Sequence, residues 1–212
     1  MKSMNMKKRM LSIVLSGAMA VSTAVSAGSF SAFAVAQCVA YSGSNVNDQD
    51  YVQWSDTVKS YLTVCDNGNY MRVQSGAIKG KLLVEYYSSD FEPLSTKLID
   101  NELPIFGAFY DSGNNYYVLS GQENPKQNDS LEVFRITKYD KNWNKIKSCG
   151  LYGANTTVPF DAGSARMTHS GDHLLVRTCH EMYKSSDGNN HQANVTIEVD
   201  MPSMTITDSY TG

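Results

Sequence analysis

A glycine turn that recurs between short strand-like runs constrains this chain more than any other feature of its sequence. Asparagine or serine precedes the glycine each time, at Asn67-Gly68, Ser112-Gly113 and Ser170-Gly171. These dipeptides favour the positive φ that joins two neighbouring strands in a tight hairpin. The glycines are 45 and 58 positions apart, so the sequence indicates one structural unit that occurs three times.

A second landmark ends each unit, where a bulky apolar residue follows a polar turn. It occurs at Asp90-Phe91, Asn142-Trp143 and Ser203-Met204, with spacings of 52 and 61 positions. Between the landmarks, runs such as residues 81–87 and 131–136 are short and mostly alternate apolar and polar side chains, which is typical of half-buried strands. Each unit therefore indicates four antiparallel strands joined by short turns.

Four antiparallel strands in about 50 residues are typical of one blade of a β-propeller. We predict an all-β fold, a partial β-propeller of about three blades, with units at residues 58–100, 103–150 and 159–212. Closed propellers have about four to eight blades. We therefore expect the N-terminal part of a longer propeller that has further blades C-terminal to these, or an array completed by another chain. The alternative is a β-sandwich of about 12 strands, because the strand spacing fits both folds.

The first 36 residues have the pattern of a signal peptide. Four basic residues precede an apolar run rich in small residues at positions 10–27, and two Ala-x-Ala sites begin at Ala32 and Ala34. Serine and glycine interrupt the run short of the roughly 20 apolar residues that a membrane span needs, which favours cleavage over a retained anchor. We expect a secreted or cell-envelope protein without a membrane span after leader removal, with a polar lead at residues 37–57.

Leader removal makes the chain acidic. The leader contains four of the 18 Lys and Arg residues and none of the 21 Asp and Glu residues. The mature chain then has 14 basic and 21 acidic side chains, a formal charge of −7. Such a balance gives no general attraction to nucleic acid or anionic lipid, so we expect no nucleic-acid partner.

Four cysteines follow the leader, namely Cys38, Cys65, Cys149 and Cys179. Export permits disulfides, and four cysteines allow three connectivities. The alternative is that they are free residues of half-buried strands, and the sequence leaves both open. None is spaced as CxxC, so zinc-binding and thioredoxin-like redox sites have no support.

Three segments resemble a known group of proteins. They are residues 158–164 (VPFDAGS), 178–183 (TCHEMY) and 187–194 (DGNNHQAN), and the similarity extends to residues 134–143. They resemble segments of uncharacterised secreted bacterial β-propeller-like proteins, over about two thirds of the mature chain. The resemblance implies a larger exported propeller protein and identifies no catalytic residue. Arylsulfotransferases, which use histidine chemistry at the propeller centre, are similar at the level of the fold only.

The longest loops occur in the third unit. Residues 152–164 and 182–192 connect its strands, whereas residues 75–81 are enough for the equivalent connection in the first unit. The extra length is therefore not required by the framework, and function is usually found on loops held by a rigid scaffold. We expect the binding residues here.

His180, Glu181 and His191 flank one of these loops, and hairpin pairing would bring them near each other. Two imidazoles and a carboxylate could bind zinc or another transition metal, or act as acid and base. However, an HExxH motif would need histidine where Lys184 stands, and consecutive strand residues point to opposite faces. The alternative is a packed histidine beside a solvated glutamate. The sequence indicates no required cofactor, although these three residues could bind a divalent metal.

Five further residues complete the set of candidate ligand-binding residues: Phe160, Asp161, Ser164, Arg166 and Arg177. The two arginines could form forked hydrogen bonds to a carboxylate, sulfate or phosphate. The alternative is an internal salt bridge from Asp161 to an arginine that braces the loop. Ser164 has no Gly-x-Ser-x-Gly elbow around it, so a nucleophilic serine is not supported.

The function most consistent with these features is a secreted binding or interaction module. Its long loops would be presented to an extracellular glycan, peptide or cell-envelope partner. The competing hypothesis is an exported enzyme, either a metal-assisted hydrolase or an arylsulfotransferase-like transferase, that uses His180, Glu181 and His191.

Overall fold

The computed structural model describes residues 57–161, 163 and 165–212. The predicted signal peptide and nearly all of the polar lead lie outside these residues. None of the described residues belongs to a helix of the length and apolar character that crossing a bilayer requires. They form thirteen strands: β1 Ser60–Val64, β2 Tyr70–Ile78, β3 Lys81–Tyr87, β4 Pro93–Asp100, β5 Ile105–Asp111, β6 Tyr116–Gly121, β7 Glu132–Tyr139, β8 Lys145–Tyr152, β9 Thr156–Pro159, β10 Arg166–Ser170, β11 His173–Lys184, β12 Asn190–Asp200 and β13 Thr205–Thr211.

The strands form three antiparallel sheets that follow one another along the chain. The first sheet has the order β1-β2-β3-β4, the middle sheet β5-β6-β7-β8 and the third sheet β10-β11-β12-β13. A short fifth strand, β9, pairs with the far end of β11. The predicted all-β fold of four-stranded antiparallel sheets is confirmed. Strand β9 was not distinguished from its loop in the sequence.

The middle sheet is buried on both faces. Tyr116 and Val118 of β6 pack in one core with the first sheet, whereas Tyr117 and Leu119 pack in a second core with the third sheet. Successive side chains of a strand point to opposite faces, so β6 contributes to two cores at once. The sheets are therefore stacked in chain order like propeller blades, and the two-layer sandwich is excluded.

The first strands of the three sheets lie side by side at the inner edge of the stack. Tyr61 of β1 packs edge-on against Phe106 and Phe109 of β5, with ring centroids 6.0 Å apart in both pairs. Between β5 and β10, Tyr110 Oη lies 2.7 Å from His169 Nδ1. Inner strands that meet along a common edge are the arrangement of a partial β-propeller.

Both sequence landmarks have a positive φ in the structure. The three turn glycines have positive φ, as predicted. The bulky residues also lie in the left-handed region, with φ of 63° at Phe91, 63° at Trp143 and 50° at Met204. A side-chain oxygen stabilises such turns, since Asp140 Oδ1 accepts hydrogen bonds of 2.8 Å from the backbone N–H groups two and four residues further on. Ser88 Oγ does the same in the first sheet, which explains the polar residue that begins the turn.

Candidate functional site

The loop at residues 122–131, between β6 and β7, is anchored to the third sheet by one buried side chain. Asn124 is 1% exposed. Its backbone N–H donates to Thr157 O at 2.7 Å, and its Nδ2 donates to Tyr183 Oη at 3.0 Å. A buried amide with satisfied hydrogen bonds fixes the position of a loop. Asn124 was not recognisable from the sequence, because its partners are distant in the chain.

The same asparagine also shapes the loop from within. Asn124 Oδ1 accepts a hydrogen bond of 2.9 Å from the backbone N–H of Asn128. Asn124 O accepts one of 2.9 Å from Gln127, whose φ is 51°. Asn-Pro dipeptides favour turn initiation, and Pro125 follows here. The Asn124-Pro125 pair was therefore the signal in the sequence that could have identified this loop.

A cleft of about 320 Å³ lies where this loop meets β9 and the β11–β12 hairpin. We call it the hairpin cleft. Three separate segments line it with positively charged, negatively charged and neutral polar side chains, together with two apolar ones. The lining residues are Glu123, Pro125, Gln127, Thr157, Val158, Glu181, Lys184 and Asn190.

Glu181 is positioned by two irregularities in the third sheet. The pairing of β11 with β9 shifts register between Glu181 and Met182, and the pairing of β11 with β12 shifts between Glu181 and Lys184. Such bulges redirect side chains and occur often beside functional sites. The buried Thr157 Oγ1 donates to Glu181 Oε1 at 2.6 Å, so one carboxylate oxygen is held in place at the wall of the cleft.

The hairpin is braced on its other side by Asn190. Its Nδ2 donates to Met182 O at 2.7 Å, and its backbone pairs with that of Lys184. Lys184 is exposed at the cleft, opposite in charge to Glu123 and Glu181. The lining therefore carries two carboxylates and one ammonium group, a formal charge of −1.

His180 is a packed histidine outside the cleft. It is fully buried, and its Nδ1 lies 2.6 Å from Thr156 Oγ1. Thr156 Oγ1 also lies 2.7 Å from Ala154 O, so the hydroxyl links the imidazole to a backbone carbonyl. Burial lowers the pKa of His180 to about 4. Its Nε2 is buried and has no partner among the described residues.

The expected metal set is not assembled. His191 Nε2 lies 2.9 Å from Asp187 Oδ2 at the exposed end of the hairpin, whereas His180 is buried and Glu181 lines the cleft. Among residues 57–161, 163 and 165–212, no group of three or more His, Cys, Asp and Glu side chains is placed to hold a metal ion. Only Glu181 of the three is in the hairpin cleft.

Phe160 is a core residue, which corrects its expected role in ligand binding. It is 3% exposed, with a φ of 62°, and its ring centroid lies 5.5 Å from that of Phe134. A Cβ atom added at Gly107 would lie 2.4 Å from Phe160 Cζ, and one at Gly121 would lie 2.8 Å from Phe160 Cε2. The ring therefore occupies space that two glycines of the middle sheet leave open.

The other candidate residues lie away from the cleft. Asp161 Oδ2 accepts a hydrogen bond of 2.6 Å from Gln192 Nε2. Arg166 and Arg177 are brought together, since they are paired opposite each other in β10 and β11. Arg177 also donates to Thr196 Oγ1 at 2.7 Å. Both arginines lie on the face of the third sheet that is turned away from the middle sheet, and Ser164 is outside the described residues.

The cysteines that the structure describes are free. Cys65, Cys149 and Cys179 form no disulfide with one another, and Cys38 lies outside the described residues. Burial raises the pKa of Cys149 to about 11, so its thiol stays protonated at neutral pH.

No protein-family model and no curated protein sequence matches this chain. Among solved structures, two Synechocystis apocarotenoid oxygenase mutants are similar at TM-scores of 0.47 and 0.46, each with 11% identity over 73% of this chain and 38% of theirs. A GH43 β-1,3-galactosidase with galactodeoxynojirimycin has a TM-score of 0.38 and 12% identity over 71% of this chain and 44% of its own. The chain thus spans less than half the length of these structures. Its resemblance to secreted β-propeller-like proteins stays a prediction.

Proposed function

We propose that this protein is a secreted binding module whose hairpin cleft holds an extended peptide segment of an extracellular or cell-envelope partner. The observation that carries the proposal is the hydrogen bond of 2.6 Å from Thr157 to Glu181 at the cleft wall. The facing loop is fixed by the buried Asn124. A site whose polar groups are held before binding loses less entropy when a ligand arrives.

The chemistry of the lining favours a peptide. Gln127 offers an amide donor and an amide acceptor, which match the C=O and N–H groups of a peptide. Asn190 offers its amide oxygen, because its Nδ2 already donates to Met182 O. Glu181 and Lys184 provide opposite charges for side chains of the partner. None of the described residues that line this cleft is aromatic, so they provide no stacking surface of the kind that favours a sugar. The net negative lining also disfavours a polyanion.

The enzyme hypothesis has less support in the geometry. It requires His180, Glu181 and His191 to act together, but the first is buried and the last is bonded to Asp187 at the end of the hairpin. Acid–base or metal chemistry needs these groups within reach of one reacting atom.

A peptide selection tests this proposal. Phage-displayed random peptides would be selected on the full chain, and the enriched peptides titrated into it by calorimetry. Because a hydrogen bond to a charged group contributes about 1.5–3 kcal/mol, Glu181→Gln should weaken binding at least about tenfold. Lys184→Ala should also weaken it. The matched controls are Lys79→Ala and Glu92→Gln, which remove exposed charges outside the cleft and should leave affinity unchanged.

Two results would contradict the proposal. Enriched peptides whose affinity is the same for wild type, Glu181→Gln and Lys184→Ala would place the site elsewhere. If no peptide is enriched, but a glycan array is bound by wild type and not by Glu181→Gln, the cleft is a glycan site.

A further inference from the structure

A second pocket lies at the opposite end of the strands, between the first and middle sheets. We call it the turn pocket. The β1–β2 turn forms one side of it and the β7–β8 turn another, and its volume is about 280 Å³. The residues on which its chemistry depends are Asp66, Asn67, Asn69, Tyr86, Tyr116 and Lys141. It shares no residue with the hairpin cleft.

Aromatic packing makes the inner wall of the turn pocket rigid. Tyr116 is 4% exposed, and its ring centroid lies 4.8 Å from that of Trp143. Trp143 Nε1 donates to Tyr86 Oη at 3.1 Å, which fixes the half-buried Tyr86 ring in the wall. Burial raises the pKa of both tyrosines, so their hydroxyls stay neutral hydrogen-bonding groups.

The charges already present disfavour two classes of ligand. Lys141 Nζ lies 2.7 Å from Asp111 Oδ1 and 4.4 Å from the Tyr116 ring centroid, so the position for a cation on that ring is filled. Asp66 is exposed, and its carboxylate has no hydrogen bond or ion pair among the described residues. Burial raises the pKa of Cys65, Lys141 lowers it, and the carboxylates of Asp111 and Asp66 raise it. These three charged side chains are one ammonium group and two carboxylates, a formal charge of −1. An excess negative charge therefore remains near the pocket, which disfavours an anion.

We propose that the turn pocket binds one pyranose ring of a neutral glycan. The Tyr86 ring offers an apolar surface for the C–H face of the sugar. The Asp66 carboxylate accepts hydrogen bonds from neighbouring sugar hydroxyls. Asn67 Oδ1 already accepts from the backbone N–H of Asn69 at 3.1 Å, which leaves its Nδ2 as a donor. This combination of a ring surface, a carboxylate and amides is absent from the hairpin cleft, so the inference does not depend on the peptide proposal.

Tryptophan fluorescence gives a direct test. The chain has two tryptophans, and Trp54→Phe in the full chain leaves Trp143, in contact with the pocket wall, as the single reporter. D-glucose, D-galactose and N-acetylglucosamine would be titrated separately. We expect a saturable change with at least one of them. Asp66→Ala should weaken it about tenfold or more, because a charged acceptor is lost.

Controls separate the pocket from a general effect on the protein. Asp90→Ala removes an exposed aspartate of the β3–β4 turn and should leave the titration unchanged. Lys184→Ala, in the hairpin cleft, should also have no effect. Tyr86→Phe keeps the ring and should retain most of the affinity, whereas Tyr86→Leu should abolish the change. If Tyr86→Leu lowers the melting temperature strongly, its loss of the fluorescence change reflects unfolding. The comparison of Asp66→Ala with Asp90→Ala then decides whether the sugar binds in the turn pocket.

Three results would overturn the proposal. The first is no saturable change with any of the three sugars at concentrations that saturate a millimolar binder. The second is an equal effect of Asp66→Ala and Asp90→Ala. The third is saturable binding of choline without binding of any sugar, which would make the pocket a cation site.

Discussion

The Phe160 ring should couple the third sheet to the middle sheet in a measurable way. A Cβ atom at Gly107 would lie 2.4 Å from Phe160 Cζ and 3.1 Å from Leu119 Cγ, so Gly107→Ala should destabilise the fold by about 1–3 kcal/mol through overpacking. Phe160→Ala removes a buried ring and should cost about 3–5 kcal/mol. In the double variant the added methyl group enters the space that the ring has left. The double variant should therefore be more stable than the sum of the single effects by about 0.5–3 kcal/mol.

Urea unfolding followed by circular dichroism measures each of these free energies. The full chain, both single variants and the double variant form one cycle. Gly121→Ala provides a second cycle with the same ring, because its Cβ would lie 2.8 Å from Phe160 Cε2. Additive effects in both cycles would refute the packing described for Phe160. Coupling only at Gly107 would place the ring away from Gly121.

Three other predictions concern single positions. Asn124→Ala should destabilise the chain by about 1–3 kcal/mol and speed amide hydrogen exchange across residues 122–131, because buried partners lose their hydrogen bonds. Unchanged exchange would show that Asn124 does not anchor this loop. Burial lowers the pKa of His180 from 6.5 to about 4, so the unfolded state binds more protons than the folded state between these pH values, and the free energy of unfolding should fall as the pH drops through this range. Urea titrations at several pH values measure this slope, which His180→Gln should reduce; an unchanged slope would contradict the buried, neutral state of His180. Gly150→Ala would place Cβ 2.0 Å from Glu132 Oε1, so Glu132 has to leave its ion pair with Arg135, and the chain should be destabilised by up to about 1 kcal/mol. A melting temperature equal to that of wild type would show that Glu132 moves without cost.

The fold was predictable because its units are built from local hairpins. The glycines at 68, 113 and 171 have the positive φ that their turns require, and such turns are specified by adjacent residues. The second landmark was recognised as a recurring pattern in the sequence, but the backbone conformation that causes the pattern was not. Phe91 and Trp143 adopt a backbone conformation that bulky residues seldom take, and only the backbone angles show this.

The site was predictable only in part, because it depends on contacts between distant segments. Glu181, which lines the hairpin cleft, was among the candidates predicted from the sequence. Asn124 was missed because its burial comes from β9 and the third sheet. Phe160 was expected to bind ligand because it lies in a long loop, yet two glycines of another sheet accept its ring. His180 and Glu181 were correctly expected to point to opposite faces, a consequence of strand geometry alone.

Peptide binding in the hairpin cleft can be tested directly when a selected peptide is mapped on the protein by NMR. The full chain labelled with ¹⁵N would be titrated with the peptide, and the shifted amides located in the structure. If the peptide occupies this cleft, the largest shifts should cluster at residues 123–127, 157–158 and 181–190, and Glu181→Gln should remove them. Shifts centred on Arg166 and Arg177, on the outer face of the third sheet, would contradict it.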